Sequence, residues 1–193
     1  MKSNIAENYL SEADYLAGEQ DGQIRHEFIA GEVYAMTGAS DAHNKISGNF
    51  FAELRNALKH KGASCTAYIN DMKVKVQNDF YYPDVMVVCD VSDTQNAYYK
   101  TRPLVIVEVL SPATRRIDKT LKRQAYQSLE TLEEYVLVEQ DAAEVEVFSR
   151  QRGWQPDYYY PGDTFNLQSI DVTIAVEDIY YQVDRVDSRR LGL

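Results

Sequence analysis

Cysteine is nearly absent from this chain: Cys65 and Cys89 are the only two in 193 residues. So few exclude a disulfide framework and the usual zinc spacings, and both lie in or beside strand-like apolar segments, reading as reduced core or sheet residues. Long hydrophobic runs are missing as well, and no stretch approaches the roughly 20 residues of a membrane-spanning helix. The opening Met1-Lys2-Ser3-Asn4-Ile5-Ala6-Glu7-Asn8 soon meets acidic and polar residues where a signal peptide would carry an apolar run. A soluble cytoplasmic protein with no membrane partner is the expectation. Positive charge is also scarce: 20 Lys and Arg stand against 30 Asp and Glu, a formal net charge of −10. Repulsion from phosphate argues against a DNA-coating role, yet not against a nuclease, because a site for divalent cations needs acids. Internal repeats and low-complexity segments are lacking too.

The chain does have apolar content, 45% of its residues, enough for the core of one domain. Two β-branched runs stand out, Tyr81-Tyr82-Pro83-Asp84-Val85-Met86-Val87-Val88 and Leu104-Val105-Ile106-Val107-Glu108-Val109-Leu110-Ser111-Pro112. Each carries one carboxylate against its apolar surroundings. A buried acid must be paired, hydrogen-bonded, protonated or metal-bound, so Asp84 and Glu108 mark a site if their strands are neighbours.

Around them the pattern predicts a mixed α/β fold. A short helix begins at Ser11 and stops at Gly18, and two strands from Ile24 to Ile29 and Glu32 to Met36 flank Ala30-Gly31. Ser40 or Asp41 caps a helix with Ile46, Phe50, Leu54 and Leu58 at helical spacing, ended by Lys59-His60-Lys61-Gly62. Strands follow at Ser64 to Ile69 and Met72 to Val76, where Val74 and Val76 alternate with Lys73 and Lys75 as on a sheet with one wet face. Tyr82 to Cys89 reads as one buried strand, Asp90 to Arg102 as a polar connection, and Leu104 to Leu110 as the middle of the sheet. In the next helix Leu121, Ala125 and Leu129 form the anchoring stripe, with Asp118, Lys122 and Tyr126 on the adjoining one. Strands at Tyr135 to Glu139 and Glu144 to Phe148 come next. Asp157 to Asp163 reads as a loop and Ile174 to Tyr181 as a short helix. The order implies a mixed central sheet with flanking helices and a parallel crossover after Leu110.

Two carboxylates, a backbone carbonyl and a substrate phosphate suffice to bind Mg²⁺ or Mn²⁺, and a lysine nearby would stabilise the transition state. In the usual nuclease arrangement that lysine follows the acid by two residues, but the residue there is Leu110. Lys122 is the first substitute, its other reading being an exposed lysine paired with Asp118. Glu27 either joins the metal cluster or is an outward strand acid. His43 lines a substrate groove or caps local structure. Arg115, Arg116, Lys119 and Arg123, with Lys122, steer a phosphate backbone or form a solvated face. Tyr158 to Tyr160 stack bases or make dimer contacts.

Several features together resemble a restriction-endonuclease-like domain family abundant in cyanobacteria, a branch of the PD-(D/E)XK nuclease superfamily. They are His26-Glu27-Phe28-Ile29-Ala30-Gly31-Glu32-Val33-Tyr34, Ala42-His43, Tyr82-Pro83-Asp84-Val85, Glu108-Val109-Leu110-Ser111-Pro112-Ala113-Thr114, the four-residue steps Asp118, Lys122, Tyr126, and Glu134-Tyr135. Val136 stands where the family often has tryptophan. The resemblance implies one restriction endonuclease-like domain over 1–193 with a core of about 9–181. It also implies Asp84 and Glu108 as metal ligands and Lys122 as the relocated lysine. The expected activity is divalent-metal-dependent endonucleolytic hydrolysis of DNA, with Mg²⁺ or Mn²⁺ as cofactor and a homodimer as the assembly. The alternative is an inactive nuclease-like domain acting as a protein-binding or regulatory module.

Overall fold

The computed structural model describes residues 10–36, 38–94 and 96–184. The readings of Met1 to Asn8, the boundary at Tyr9 and the tail of the expected 1–193 domain lie outside the described residues. Ser11 caps α1 (Glu12–Asp21) by accepting the Asp14 amide, and the helix continues past Gly18 where a stop was expected. β1 (His26–Ile29) and β2 (Glu32–Ala35) form a hairpin around Ala30-Gly31, both at positive φ. α2 (Asp41–Lys61) starts on the Ser40 hydroxyl and ends at Gly62, whose φ of 60° is the left-handed value that glycine adopts at least cost.

The strands β3 (Thr66–Ile69), β4 (Lys73–Val76), β5 (Asp79–Tyr81), β6 (Val85–Val88), β7 (Tyr99–Lys100) and β8 (Val105–Leu110) follow. Next, α3 (Arg115–Ile117), a π-helical turn (Asp118–Lys122) and α4 (Arg123–Gln127) make one helical stretch. The chain continues through β9 (Glu134–Glu139), β10 (Val145–Ser149), β11 (Pro156–Tyr159), β12 (Thr164–Leu167), β13 (Val172–Ala175) and α5 (Val176–Ile179). The expected loop over Asp157 to Asp163 is thus in part the edge strand β11, paired with β10.

Three sheets result among the described residues: β2-β1-β5-β4-β7, β11-β10-β9-β8-β6-β3, and the hairpin β12-β13. Both larger sheets are mixed, with β8 parallel to β9 and β4 parallel to β7. The crossover predicted after Leu110 is the β8-to-β9 connection. All six residues of β8 are buried, as a strand covered on both faces requires. One face, with Val105, Val107 and Val109, packs beneath Ile46, Phe50, Leu54 and Leu58 of α2 and against Phe165 and Leu167 of the C-terminal hairpin. The other face presents Ile106 and Leu110 to Tyr126, Tyr135 and Tyr81, and Glu108 shares that face by strand alternation.

Three local expectations change. The strand read over Tyr82 to Cys89 shortens to β6, Val85–Val88, because Tyr82-Pro83-Asp84 carries the chain over from β5 in the other large sheet. The lysine face of β4 is not wet: Lys73 is buried and donates to the Tyr82 hydroxyl at 3.1 Å, while Lys75 reaches Glu12 of α1 and lies over the Phe80 ring. α1 and the aromatic residues Tyr15, Phe28 and Phe80 cover that side. Cys65 and Cys89 form a disulfide instead of remaining reduced, since the antiparallel pairing Thr66↔Val88 places them opposite each other one step further along.

Candidate active site

Antiparallel pairing of Val85 with Val107 brings the start of β6 beside Glu108 in β8, so the two expected acids meet. The Asp84 amide lies 3.3 Å from Glu108 Oε2, and Asp84 Oδ2 accepts the Val109 amide at 2.7 Å. Glu27 arrives from β1 in the other large sheet and is held by the Tyr82 amide at 3.1 Å. The residue linking the two sheets therefore fixes Glu27 through its backbone.

Lys122 closes the cluster from the helical stretch. Its ammonium stands 2.8 Å from Glu27 Oε1, 3.3 Å from Glu108 Oε1 and 3.4 Å from Asp118 Oδ1. The stripe read as adjoining the anchoring one is itself the inward face: Asp118, Lys122 and Tyr126 are buried, whereas Leu121 of the expected anchoring stripe is 46% exposed. The π-helical turn between Asp118 and Lys122 departs from the ideal α spacing on which the stripes were drawn. Tyr126 donates to Glu108 Oε1 at 2.9 Å, and the Tyr135 hydroxyl donates to the Asp118 carbonyl at 3.1 Å.

Burial and the charges of Asp118, Asp84 and Glu27 push the Glu108 carboxyl well above the usual range, against the pull of Lys122. Burial alone would lower the Lys122 ammonium, but Glu108, Glu27 and Asp118 hold it well above the ordinary lysine value. The surrounding carboxylates thus favour the charged form of Lys122. Burial also raises Asp118, and its Oδ1 makes no hydrogen bond.

His43, in the first turn of α2, places Nε2 3.3 Å from Asp84 Oδ2 at the more open side of the cluster. The four groove cations are elsewhere. Arg115 and Lys119 pair with Glu139, Lys119 also with Glu146, Arg123 lies over the Phe148 ring, and Arg116 is exposed. Glu139, Glu144 and Glu146 bring ligand oxygens within 4.8 Å of one another, a spacing that in principle admits a divalent ion. Sequence reading missed this group because its members come together only when β9 pairs with β10. It gave Asp118 and Tyr126 no role in a site, although their four-residue steps from Lys122 were the available signal.

A family model described as "Uma2: Putative restriction endonuclease" matches residues 12–177. The chain belongs to the Uma2 family. It is 33% identical over 175 residues to the uncharacterized protein slr1290 of Synechocystis sp., covering 89% of this chain and 91% of the relative. A second Synechocystis relative, the uncharacterized protein sll1609, is 32% identical over 151 residues, covering 75% and 84%. The fold resembles the crystal structure of a "putative nuclease belonging to DUF820" from Anabaena variabilis, with a TM-score of 0.72 over 89% of this chain and 97% of that one at 14% identity. The Uma2 chain thus has the mixed α/β restriction-endonuclease-like core, with helices flanking two multi-stranded sheets. Fold and acidic clusters are consistent with a metal-dependent nuclease-like activity. Among the described residues no helix is long and apolar enough to cross a membrane.

The Uma2 cluster is rich in carboxylate oxygens, the donor type that hard divalent cations take. Glu27, Glu108 and Asp118 surround one ammonium, Asp84 lies beside Glu108, and one Asp118 oxygen has no hydrogen bond among the described residues. His43 gives a pH-dependent prediction for the metal-free protein. Burial lowers its pKa, but the hydrogen bond to Asp84 and that residue's charge outweigh it, so the folded value is raised. Stabilisation by the pair is then fully present below the unfolded value of about 6.5 and lost as pH rises through the folded value. The parent is expected to exceed His43→Gln by about 1 kcal/mol at the acid end, with the gap closing in alkali. Denaturant melts across that range check it; a gap that grows with pH would count against a protonated His43.

Proposed function

We propose that the chain is a divalent-metal-dependent endonuclease that hydrolyses DNA phosphodiester bonds with water as nucleophile. The observation that carries this reading is the meeting of Lys122 with Glu27 and Glu108 beside Asp84, four chemically demanding residues drawn from two sheets and a helix. Asp84 and Glu108 hold the cation in this reading. Mg²⁺ or Mn²⁺, when bound, supplies polarisation of the phosphoryl group and a more acidic water. Lys122 offers its positive charge to the negative charge developing on phosphate, and Glu27 keeps that ammonium in place. His43 borders the substrate groove at the Asp84 side, and of the expected groove cations exposed Arg116 is left to guide the phosphate backbone, since Arg115 and Lys119 are paired with Glu139 and Glu146 and Arg123 lies over Phe148. A cytoplasmic homodimer completes the proposal: two-fold symmetry suits the two strands of a duplex, and Tyr158 on the edge strand β11 is half exposed.

The test compares the parent with Asp84→Asn, Glu108→Gln and the double variant on supercoiled, linear and single-stranded DNA in Mg²⁺ or Mn²⁺. Each substitution is expected to abolish cleavage while the circular dichroism spectrum is kept. A double variant as active as the parent removes the assignment. A parent that cuts none of the substrates and binds neither ion leaves the inactive protein-binding module as the better account.

A further inference from the structure

Glu108 divides its two carboxylate oxygens between two environments. Oε1 receives the Tyr126 hydroxyl at 2.9 Å and the Lys122 ammonium at 3.3 Å, whereas among the described residues Oε2 accepts only a long hydrogen bond of 3.3 Å from the Asp84 backbone amide. The terminal torsion of a glutamate is broad, so nothing intrinsic to the side chain decides which oxygen faces which way. Lys122 is a poor sole anchor, because its ammonium is shared with Glu27 and Asp118. Tyr126 is different. Its side chain is wholly buried, and its ring is confined by Tyr81 and Tyr135 with centroids at 5.4 Å and 5.5 Å. Its hydroxyl has Glu108 Oε1 as acceptor at the end of a rigid two-torsion side chain.

We propose that Tyr126 is a positioning residue: by binding Glu108 Oε1 it turns Oε2 toward Asp84 as the oxygen offered to a divalent cation. The proposal rests on the reading of Asp84 and Glu108 as metal ligands. Groups that orient a ligating carboxylate typically change metal affinity by about 10–100-fold when removed. Tyr135 is the internal control. It is equally buried and touches the same ring, but it donates to the Asp118 backbone carbonyl instead of a carboxylate.

Mn²⁺ is titrated by calorimetry, without DNA, into the parent, Tyr126→Phe, Tyr135→Phe and the Asp84→Asn/Glu108→Gln double variant, with melting curves to show that each is folded. Tyr126→Phe keeps the ring and its packing. It is expected to bind Mn²⁺ at least about tenfold more weakly, with Tyr135→Phe staying within about twofold of the parent. Parent-like affinity in Tyr126→Phe overturns the proposal alone, as does an equal loss in Tyr135→Phe, which would be general loosening. A double variant that binds Mn²⁺ with the parent's stoichiometry and affinity, or no binding by the parent, overturns the ligand reading and the proposal with it, whereas loss of one site with weaker binding left at Glu139, Glu144 and Glu146 supports it.

Discussion

Lys122→Met is expected to lower the free energy of unfolding by about 3–5 kcal/mol at neutral pH, and to abolish any metal-dependent cleavage by the chain. Methionine keeps much of the volume but removes the ammonium shared by Glu27, Glu108 and Asp118, all buried. What remains is like charge in low dielectric with hydrogen bonds but no ammonium to offset it, the costly outcome of breaking a buried ion pair. The pH dependence has a definite sign. Burial and neighbouring acids raise the Glu108 pKa, so its unfavourable charging in the folded state is absent at low pH and grows as pH rises through the raised value. Losing Lys122 increases that charging cost, so the gap between parent and variant should widen from about pH 5 to about pH 8. Urea unfolding at several pH values measures it. A loss below about 1 kcal/mol, flat with pH, would mean that the ammonium spends its time in solvent.

The second large effect lies in the core. Phe50→Ala is expected to cost about 3–5 kcal/mol, because the ring is wholly buried between α2 and the six-stranded sheet and approaches Phe165 at 6.1 Å between centroids. For a domain of this size that is a fall in Tm of roughly 6–20 °C. α2 also carries His43, so the loosened helix should weaken the His43–Asp84 contact along with the core. Calorimetry gives the melting shift, and a fall of under about 2 °C would show that the site collapses around the missing ring.

α2 was legible in the sequence because three signals agree there: the Ser40 cap, four apolar residues at helical spacing and Gly62 at the end. β8 was legible because a six-residue run, β-branched at Val105, Ile106, Val107 and Val109 and apolar but for Glu108, suits a strand covered on both faces and is too short for a buried helix. Asp84 and Glu108 stood out as lone acids in two apolar β-branched runs, and Lys122 as a lysine on the helix after the second. The inward face of the Lys122 helix was not legible, since apolar content pointed to Leu121 and only the tertiary fold could reward burying Asp118 and Lys122 with partners. β12 and β13 are four-residue strands in which polar residues alternate with apolar ones, and their partner is supplied by pairing with each other. The Cys65–Cys89 bridge depends on the register of β3 against β6, a relation between distant segments that composition does not carry.

Tyr82-Pro83-Asp84 has a further consequence, for which kinds of length change the chain tolerates. Side chains on a strand alternate sides, so one residue added or removed between β5 and β6 would either swing Asp84 away from Glu108 or pull Tyr82 from Glu27. The outer strand β2, exposed along its whole length, carries no such restriction. Insertions among relatives should therefore collect around the β1–β2 turn, while the three-residue link between the sheets keeps a constant count, because it acts as a spacer gauged to the distance between Glu27 and Glu108.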